Sequence, residues 1–344
     1  MTSSATAGAL DGRREEEKNV TIFDRIAAAS IIGLLAAGAG SAAAQTPYPV
    51  KPMRIIVPFP PGGATDILGR FVAQKLGETF SQQVVIDNRP GANGTLGLDL
   101  GAKAPPDGHT LVIGQAGNLA ISPNLTKVPY DPNRDFAPIT LLISSPHVIA
   151  VHPSLPARSL KELVALARAQ PGQLNYASTG SGSAGHLGVE LLKKTTKMNV
   201  VHVPYKGAVP GFTDLVAGHV AMMFTSVMST QSFARAGRVR MLAVGSAQRS
   251  PSAPDVPTIA ESGYPGFEVT TWWGVLGPAA MPREAVTRLN AELVKIMASN
   301  DARDRIGTLG ADLQTTTPDQ FAARIKTESS TWARVIKDSG ARVD

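Results

Sequence analysis

The sequence contains no cysteine among its 344 residues. A disulfide framework, a thiolate metal site and a cysteine nucleophile are therefore excluded. The six histidines are scattered, and neither an H-x-x-x-H nor an H-E-x-x-H pattern occurs among them. Because zinc sites on helices commonly use that spacing, we predict no metal site, and we expect no resident cofactor.

Aromatic residues are scarce, at 5% of the chain, and the 33 lysines and arginines form no run longer than two. Nucleic-acid-binding surfaces usually cluster their positive charge and add aromatic side chains for base stacking. We therefore expect no nucleic-acid partner. The formal net charge of +6 predicts a solvated basic surface that mildly attracts anionic solutes.

No apolar run long enough to span a membrane follows residue 44. Residues 26–40 form a run of small and apolar residues, but this run is short for a transmembrane helix. Ala42-Ala43-Ala44 then supplies an A-x-A cleavage site. The sequence predicts a secretory signal peptide over residues 1–44, cleaved near Ala44, and a periplasmic mature chain that begins at Gln45.

The mature chain begins with alternating strands and helices. Apolar, β-branched runs predict strands at 53–57, 84–87 and 110–113, and helical periodicity predicts helices at 66–80 and 94–104. This alternation is typical of an α/β protein with a parallel sheet.

A second strand–helix series occupies residues 159–244, and two mostly apolar runs flank it at 139–151 and 270–277. Runs of that length suit strands that pass from one lobe to another. We therefore expect two α/β lobes joined by two crossing strands, the arrangement of a type II periplasmic binding protein. The predicted boundaries are 1–44 for the signal peptide, 45–145 for the first part of lobe 1, 146–267 for lobe 2, and 268–344 for the return to lobe 1 and the C-terminal helices.

The last helix is predicted to open on a capping box formed by Thr317 and Gln320. Phe321, Ile325 and Trp332 recur at helical spacing and should form its buried face.

A glycine-rich loop joins the first strand to the first helix. Gly62 and Gly63 let a ligand approach the backbone, and amide groups at a helix N-terminus favour an anion. The loop has no lysine, so it is not a nucleotide P-loop, and Thr65 or Asp66 is expected to cap the helix. A tight structural turn is the alternative interpretation. The candidate ligand-binding residues here are Phe59, Pro61, Gly62, Gly63, Ala64, Thr65 and Asp66.

A second glycine-rich loop follows the strand at 175–177 and contains a G-x-G-x-x-G pattern. The next strand lacks the acidic residue that a dinucleotide site requires, so we interpret the loop as a second anion site. The candidate ligand-binding residues here are Ser178, Thr179, Gly180, Gly182, Ser183 and His186. His186 has a packing or capping role as its alternative. An enzyme remains the alternative function, a serine-type hydrolase that uses Ser183 and His186, although no nucleophile-elbow motif surrounds Ser183.

Several further motifs occur in a characteristic order along the chain. They are Pro58 to Asp66, Asp87 to Gly94, Pro106 to Thr110, Val203 to Gly207, Pro254 to Thr258 and Glu261 to Gly263. Together they resemble the Bug family, the extracytoplasmic solute receptors of tripartite tricarboxylate transporters. The resemblance implies a type II periplasmic-binding-protein fold and a small carboxylate ligand. It also implies delivery of that ligand to a membrane permease, or to a sensor, and we expect a monomer.

The resemblance adds four positions to the candidate ligand-binding residues, namely Asn93, Tyr205, Lys206 and Thr225. Asn93 is explained equally well by turn chemistry, and Lys206 by a solvated surface charge. The family often has an acidic residue where this sequence has Thr225. The neutral threonine predicts a ligand without an ammonium group. Trp272 and Trp273 are expected in the core or at a hinge, with a hydrophobic wall of the ligand pocket as the alternative.

Overall fold

The computed structural model describes residues 48–339, so the predicted signal peptide and its cleavage site lie outside the described residues. No helix in this range is long and apolar enough to cross a membrane. The strands are β1 Met53–Val57, β2 Val84–Asn88, β3 Thr110–Gln115, β4 Phe136–Val151, β5 Asn175–Ser178, β6 Val201–Pro204, β7 Met222–Ser226, β8 Arg240–Val244, β9 Thr270–Pro278 and β10 Asp312–Leu313.

The helices alternate with these strands over much of the chain. They are α1 Ala64–Phe80, α2 Thr95–Ala102, α3 Ser122–Leu125, α4 Leu160–Ala169, α5 Ala184–Thr196, α6 Ala208–Ala217, α7 Val227–Arg235, α8 Arg283–Met297, α9 Asn300–Arg305 and α10 Pro318–Ser339. Short 3₁₀ segments occupy Ala92–Gly94 and Gly307–Leu309, and a π-helical turn occupies Gly117–Ile121.

The first strands and helices form as the sequence predicts. Strand β1 is rich in β-branched residues and almost fully buried, as suits an inner strand. Helix α1 buries Leu68, Phe71, Val72 and Leu76, which share one helical face. The predicted α/β class is confirmed.

Eight strands follow one another across the sheet in the order β2-β1-β3-β9-β4-β7-β5-β6, and β8 and β10 pair with β4. β1 runs parallel to β2 and β3, and β5 runs parallel to β6 and β7. β9 and β4 run antiparallel to the strands beside them. Loops that follow parallel strands gather at their carboxyl ends, where ligands bind in open α/β sheets.

Strand β4 pairs with two groups of strands. Its residues 136–146 pair with β9, whereas residues 147–151 pair with β7. We call β2, β1, β3, β9 and residues 136–146 the first part of the sheet. The end of β4 with β7, β8, β5 and β6 is the second part.

The chain returns to the first part just before β9. The N–H of Val269 donates to the carbonyl of Gly245 (2.6 Å), and its carbonyl accepts from the N–H of His147 (3.1 Å). The two runs predicted to cross, 139–151 and 270–277, therefore correspond to β4 and β9.

The C-terminal helix is confirmed in detail. The hydroxyl of Thr317 accepts from the N–H of Gln320 (3.2 Å), and the Gln320 side chain accepts from the N–H of Thr317 (3.0 Å). Phe321 and Ile325 are fully buried, and Trp272 packs edge-on against Phe321 at a centroid distance of 5.4 Å. Trp272 is thus a core residue, as expected.

Some predictions at the ends of elements were wrong. Helix α1 begins at Ala64, two residues early, and its N-cap is Gly63, so neither Thr65 nor Asp66 caps it. Helix α7 was not predicted, although the hydroxyl of Ser226 caps it by accepting from the N–H of Ser229 (3.2 Å).

Candidate functional site

A pocket lies where the loops after β1, β3, β5, β6 and β7 meet. Its volume is about 530 Å³ including its open mouth. None of its lining side chains is an aspartate, glutamate, lysine or arginine. We call it the cradle pocket, and it is lined by Phe59, Pro60, Gly63, Ala64, Thr65, Gln115, Gly117, His147, Thr179, Ser183, Ala184, Ala208, Val209, Thr225, Ser226, Ser229, Thr271 and Trp273.

Four helices begin at this pocket, because α1, α5, α6 and α7 each contribute residues of their first turn to its lining. The first N–H groups of a helix lack intrahelical partners, and the helix dipole places partial positive charge at the same end. Convergence of these N-termini makes the pocket attractive to an anion although no cation lines it.

The Asp66 side chain holds the glycine-rich loop between β1 and α1 in place. Its carboxylate accepts from the N–H of Gly62 (2.9 Å), from Nε of Arg70 (2.9 Å) and from Nδ2 of Asn88 (2.9 Å). Burial of Asp66 by itself raises the pKa of the carboxyl, but these hydrogen bonds outweigh burial and hold the pKa below its usual value. Asp66 therefore stays ionised and orders the loop.

The second loop is fixed by two stacked imidazoles. His186 and His202 lie parallel, with ring centroids 4.2 Å apart. Nδ1 of His186 accepts from the N–H of Gly182 (3.2 Å), and Nε2 of His202 lies 2.7 Å from the hydroxyl of Ser178. These bonds give His186 the packing and loop-supporting role that was its alternative in the sequence.

Glycines let the second loop approach its neighbours closely. A Cβ on Gly185 would lie 2.2 Å from the carbonyl oxygen of Phe224, so α5 begins directly against β7. Gly180 has φ of +136°, and a Cβ there would lie 3.4 Å from Cβ of Asn93, in the 3₁₀ segment that follows β2.

Three hydroxyl groups of the pocket are oriented as donors. Thr65 Oγ1 accepts from Nε1 of Trp273 (2.9 Å), and Ser183 Oγ accepts from the N–H of His186 (3.1 Å). Ser229 Oγ lies 2.9 Å from the hydroxyl of Ser226, which donates to it. None of these three hydroxyls donates to an acceptor within residues 48–339, so each hydrogen is left to point at a ligand.

His147 lies in the wall of the pocket and is 5% exposed. Burial lowers the pKa of His147 to about 3, so the ring is neutral at physiological pH. Its Nδ1 is buried and has no hydrogen-bond partner in the described part of the chain, and the ring packs edge-on against Phe224 with ring centroids 5.1 Å apart. An imidazole that lines a pocket and lacks a partner is available to a ligand.

The structure brings seven of the predicted ligand-binding residues together in the cradle pocket. They are Phe59, Gly63, Ala64, Thr65, Thr179, Ser183 and Thr225. The others lie outside its lining. Gly62, Asp66, Ser178, Gly182 and His186 support the two loops, and Pro61 is exposed beside the first loop.

The remaining four predicted residues line a neighbouring cavity instead. They are Asn93, Gly180, Tyr205 and Lys206. Asn93 is buried, with Nδ2 3.1 Å from the hydroxyl of Ser122, and the hydroxyl of Tyr205 donates to Asp214.

Sequence reasoning missed several lining residues. They include Gln115, His147, Ser226, Ser229 and Thr271, whereas Trp273 lines the pocket as its alternative interpretation had it. The signal available for Ser226 and Ser229 was the start of an unrecognised helix. The other three lie within or at the end of strands, where nothing in the local sequence marks them. Among residues 48–339, no cluster of three His, Asp or Glu side chains is arranged to hold a metal ion.

Known proteins share this sequence and this fold. The family model TctC, described as "Tripartite tricarboxylate transporter family receptor", matches residues 68–341. A UPF0065 protein from the tcbD-tcbE intergenic region of Pseudomonas sp. strain P51 is 43% identical, over 84% of this chain and 86% of that protein. Protein BugT of Bordetella pertussis is 35% identical, over 91% of this chain and 98% of that protein.

Two solved structures are similar to the whole described fold. Rpa4515 of R. palustris with adipate has a TM-score of 0.84 and 35% identity, covering 86% of this chain and all of that one. MatC of Rhodopseudomonas palustris with bound malate has a TM-score of 0.80 and 33% identity, covering 84% of this chain and all of that one. The two-lobed periplasmic-binding-protein fold is thereby confirmed, and the chain belongs to the Bug, or TctC, family of solute-binding receptors of tripartite tricarboxylate transporters.

Proposed function

We propose that this receptor captures a small carboxylate in the cradle pocket and delivers it to the permease of a tripartite transporter. The observation that carries the proposal is the convergence of four helix N-termini and three donor hydroxyls on one pocket. Carboxylates accept hydrogen bonds only, so a pocket built from donors suits them. The adipate and malate of the two similar structures support this ligand class.

The ligand is a dicarboxylate, a tricarboxylate or an aromatic acid, without an ammonium group. An ammonium group is stabilised by a nearby carboxylate, yet no Asp or Glu side chain lines the cradle pocket. Thr225, where the family often has an acid, is buried in that lining. Succinate and malate should therefore bind more tightly than aspartate. Tighter binding of aspartate than of malate would contradict this part of the proposal.

Capture is expected to involve two lobes, over residues 45–145 with 268–344 and over 146–267. The pocket is lined from both parts of the sheet, so a ligand that contacts both favours their closure. Catalysis is not required for this work.

The experiment is calorimetric titration of the mature chain with a panel of carboxylates, for the wild type and for Ser183→Ala. Loss of one donor to a charged ligand should weaken binding by roughly 1.5–3 kcal/mol, about 10- to 150-fold. Ser183 also caps α5, so Ser159→Ala, which removes the cap of α4 and lies outside the pocket, is the matched control. Equal affinities for both variants, or no binding of any acid to the wild type, would refute the proposal.

The hydrolase alternative predicts that an ester substrate is turned over and that Ser183→Ala abolishes turnover. Ser183 Oγ caps α5, and His186 Nδ1 accepts from the loop backbone. Both groups thus have supporting roles that need no chemistry. Ester turnover by the wild type that vanishes in Ser183→Ala would favour the hydrolase.

We further propose that the receptor acts in the periplasm as a monomer, after removal of residues 1–44. Its partner is the transporter's permease, with a sensor protein as the alternative. N-terminal sequencing of the exported chain should begin at Gln45.

A further inference from the structure

A second cavity borders the cradle pocket. Its volume is about 780 Å³ including its open side, and both parts of the sheet contribute to its walls. We call it the lysine cavity, and it is lined by Ala92, Asn93, Thr95, Ser122, Thr126, Lys127, Val128, Gly180, Ser181, Pro204, Tyr205 and Lys206. Asn93 and Gly180 approach each other between the two cavities.

The lysine cavity carries a positive charge that has no ion-pair partner among residues 48–339. Lys127 and Lys206 are its only charged lining residues, and neither forms an ion pair with another residue within 48–339. Other lysines, such as Lys51, Lys103 and Lys193, hold carboxylates at 2.7–2.8 Å.

Two carboxylates on neighbouring elements are already engaged. Asp99, on helix α2, pairs with Lys103 at 2.7 Å. Asp214 accepts from the hydroxyl of Tyr205 and lies 3.2 Å from Nδ1 of His219. The remaining lining groups include the hydroxyls of Ser122 and Ser181, which can donate to an anion, whereas the Thr126 hydroxyl donates to the carbonyl of Ser122 (3.3 Å).

The two lysines come from opposite sides. Lys127 follows α3 and belongs to the chain between β3 and β4, whereas Lys206 follows β6 of the second part. When the two sides of the cavity approach each other, the positive charges of Lys127 and Lys206 come closer together, and like charges repel. An anion between them replaces that repulsion with attraction to both sides.

We infer that the lysine cavity is a second anion site, which takes a small divalent oxyanion bridging Lys127 and Lys206. The cradle pocket holds its carboxylate with neutral donors, whereas this site uses charge. The anion acts as a co-ligand that favours the closed arrangement.

The test is calorimetric titration with inorganic phosphate at constant ionic strength, without any carboxylate. The wild type should bind phosphate, and Lys127→Gln/Lys206→Gln should bind it at least tenfold more weakly. Lys127→Gln alone and Lys206→Gln alone should each weaken phosphate binding nearly as much as the double substitution does, because the anion contacts both lysines. Both side chains are exposed, so the substitutions spare the core.

Lys161→Gln/Lys295→Gln removes the same charge from exposed positions of α4 and α8 and should bind phosphate like the wild type. Phosphate affinity that persists in Lys127→Gln/Lys206→Gln would place the anion in the cradle pocket and overturn the inference. So would no phosphate binding to the wild type, or an equal loss in the control. Failure of the carboxylate panel leaves this result unaffected, since no carboxylate is present.

Discussion

At the scale of single residues, the site depends on which hydrogen bonds each polar side chain already makes. Thr65 and Ser183 each accept one hydrogen bond, from Nε1 of Trp273 and from the N–H of His186 respectively, and neither donates one within residues 48–339. Their hydrogens are therefore left for a ligand. A list of hydroxyl residues alone does not separate such donors from hydroxyls that are already satisfied, as that of Ser178 is.

His147 gives a residue-scale prediction about pH. Burial lowers the pKa of His147 to about 3 in the folded protein, whereas an unfolded histidine titrates near 6.5. Between these values the unfolded chain binds the extra proton, so the free energy of unfolding falls as the pH falls through that range. From pH 7 to pH 5 the wild type should lose about 2 kcal/mol more than His147→Phe, measured by urea denaturation.

The control for His147 is His219→Gln. The His219 side chain is 71% exposed, so its replacement should leave most of the pH dependence of the wild type in place. An identical pH dependence for the wild type and His147→Phe would contradict the assignment of His147 as a buried neutral imidazole.

At the scale of elements, α5 is placed by its glycines. A Cβ on Gly185 would collide with the backbone of Phe224, and one on Gly188 would lie 2.4 Å from the ring of the same residue. Gly185→Ala should therefore destabilise the fold by about 1–3 kcal/mol, since backbone has to shift. Because the shifted segment carries Ser183, carboxylate affinity should fall as well.

Gly307→Ala is the matched substitution for this prediction. A Cβ at Gly307 meets no atom within 4 Å, so its unfolding midpoint should stay near that of the wild type. Both variants are compared by thermal unfolding and by calorimetry. A Gly185→Ala protein as stable as Gly307→Ala would show that α5 does not rest on β7 as described.

The strands and helices also show which parts of the site can be predicted from the sequence. Both glycine-rich loops were predictable, because each follows an apolar strand and precedes a periodic helix, and those signals are local. His147 and Thr271 were not, because they reach the pocket through the pairing of β4 and β9 with distant strands. Register between strands far apart in sequence leaves no local pattern.

At the scale of the whole molecule, the neutral lining predicts weak dependence on salt. Salt screens charge pairs, but the cradle pocket contributes none to the complex. The dissociation constant for succinate should change less than about threefold between 50 and 500 mM NaCl, since only the distant net charge of +6 is screened. A tenfold or greater weakening, measured by calorimetry, would point to a charged contact.

The convergence of helix N-termini has a consequence for evolution. Main-chain amides remain whatever side chains surround them, so substitution in the lining does not remove these amides. Their contribution to carboxylate recognition is therefore robust to mutation outside the three donor hydroxyls, while Val209, Thr225 or Thr271 is free to vary with the rest of the ligand. A receptor built this way diversifies its cargo without losing the shared feature of that cargo.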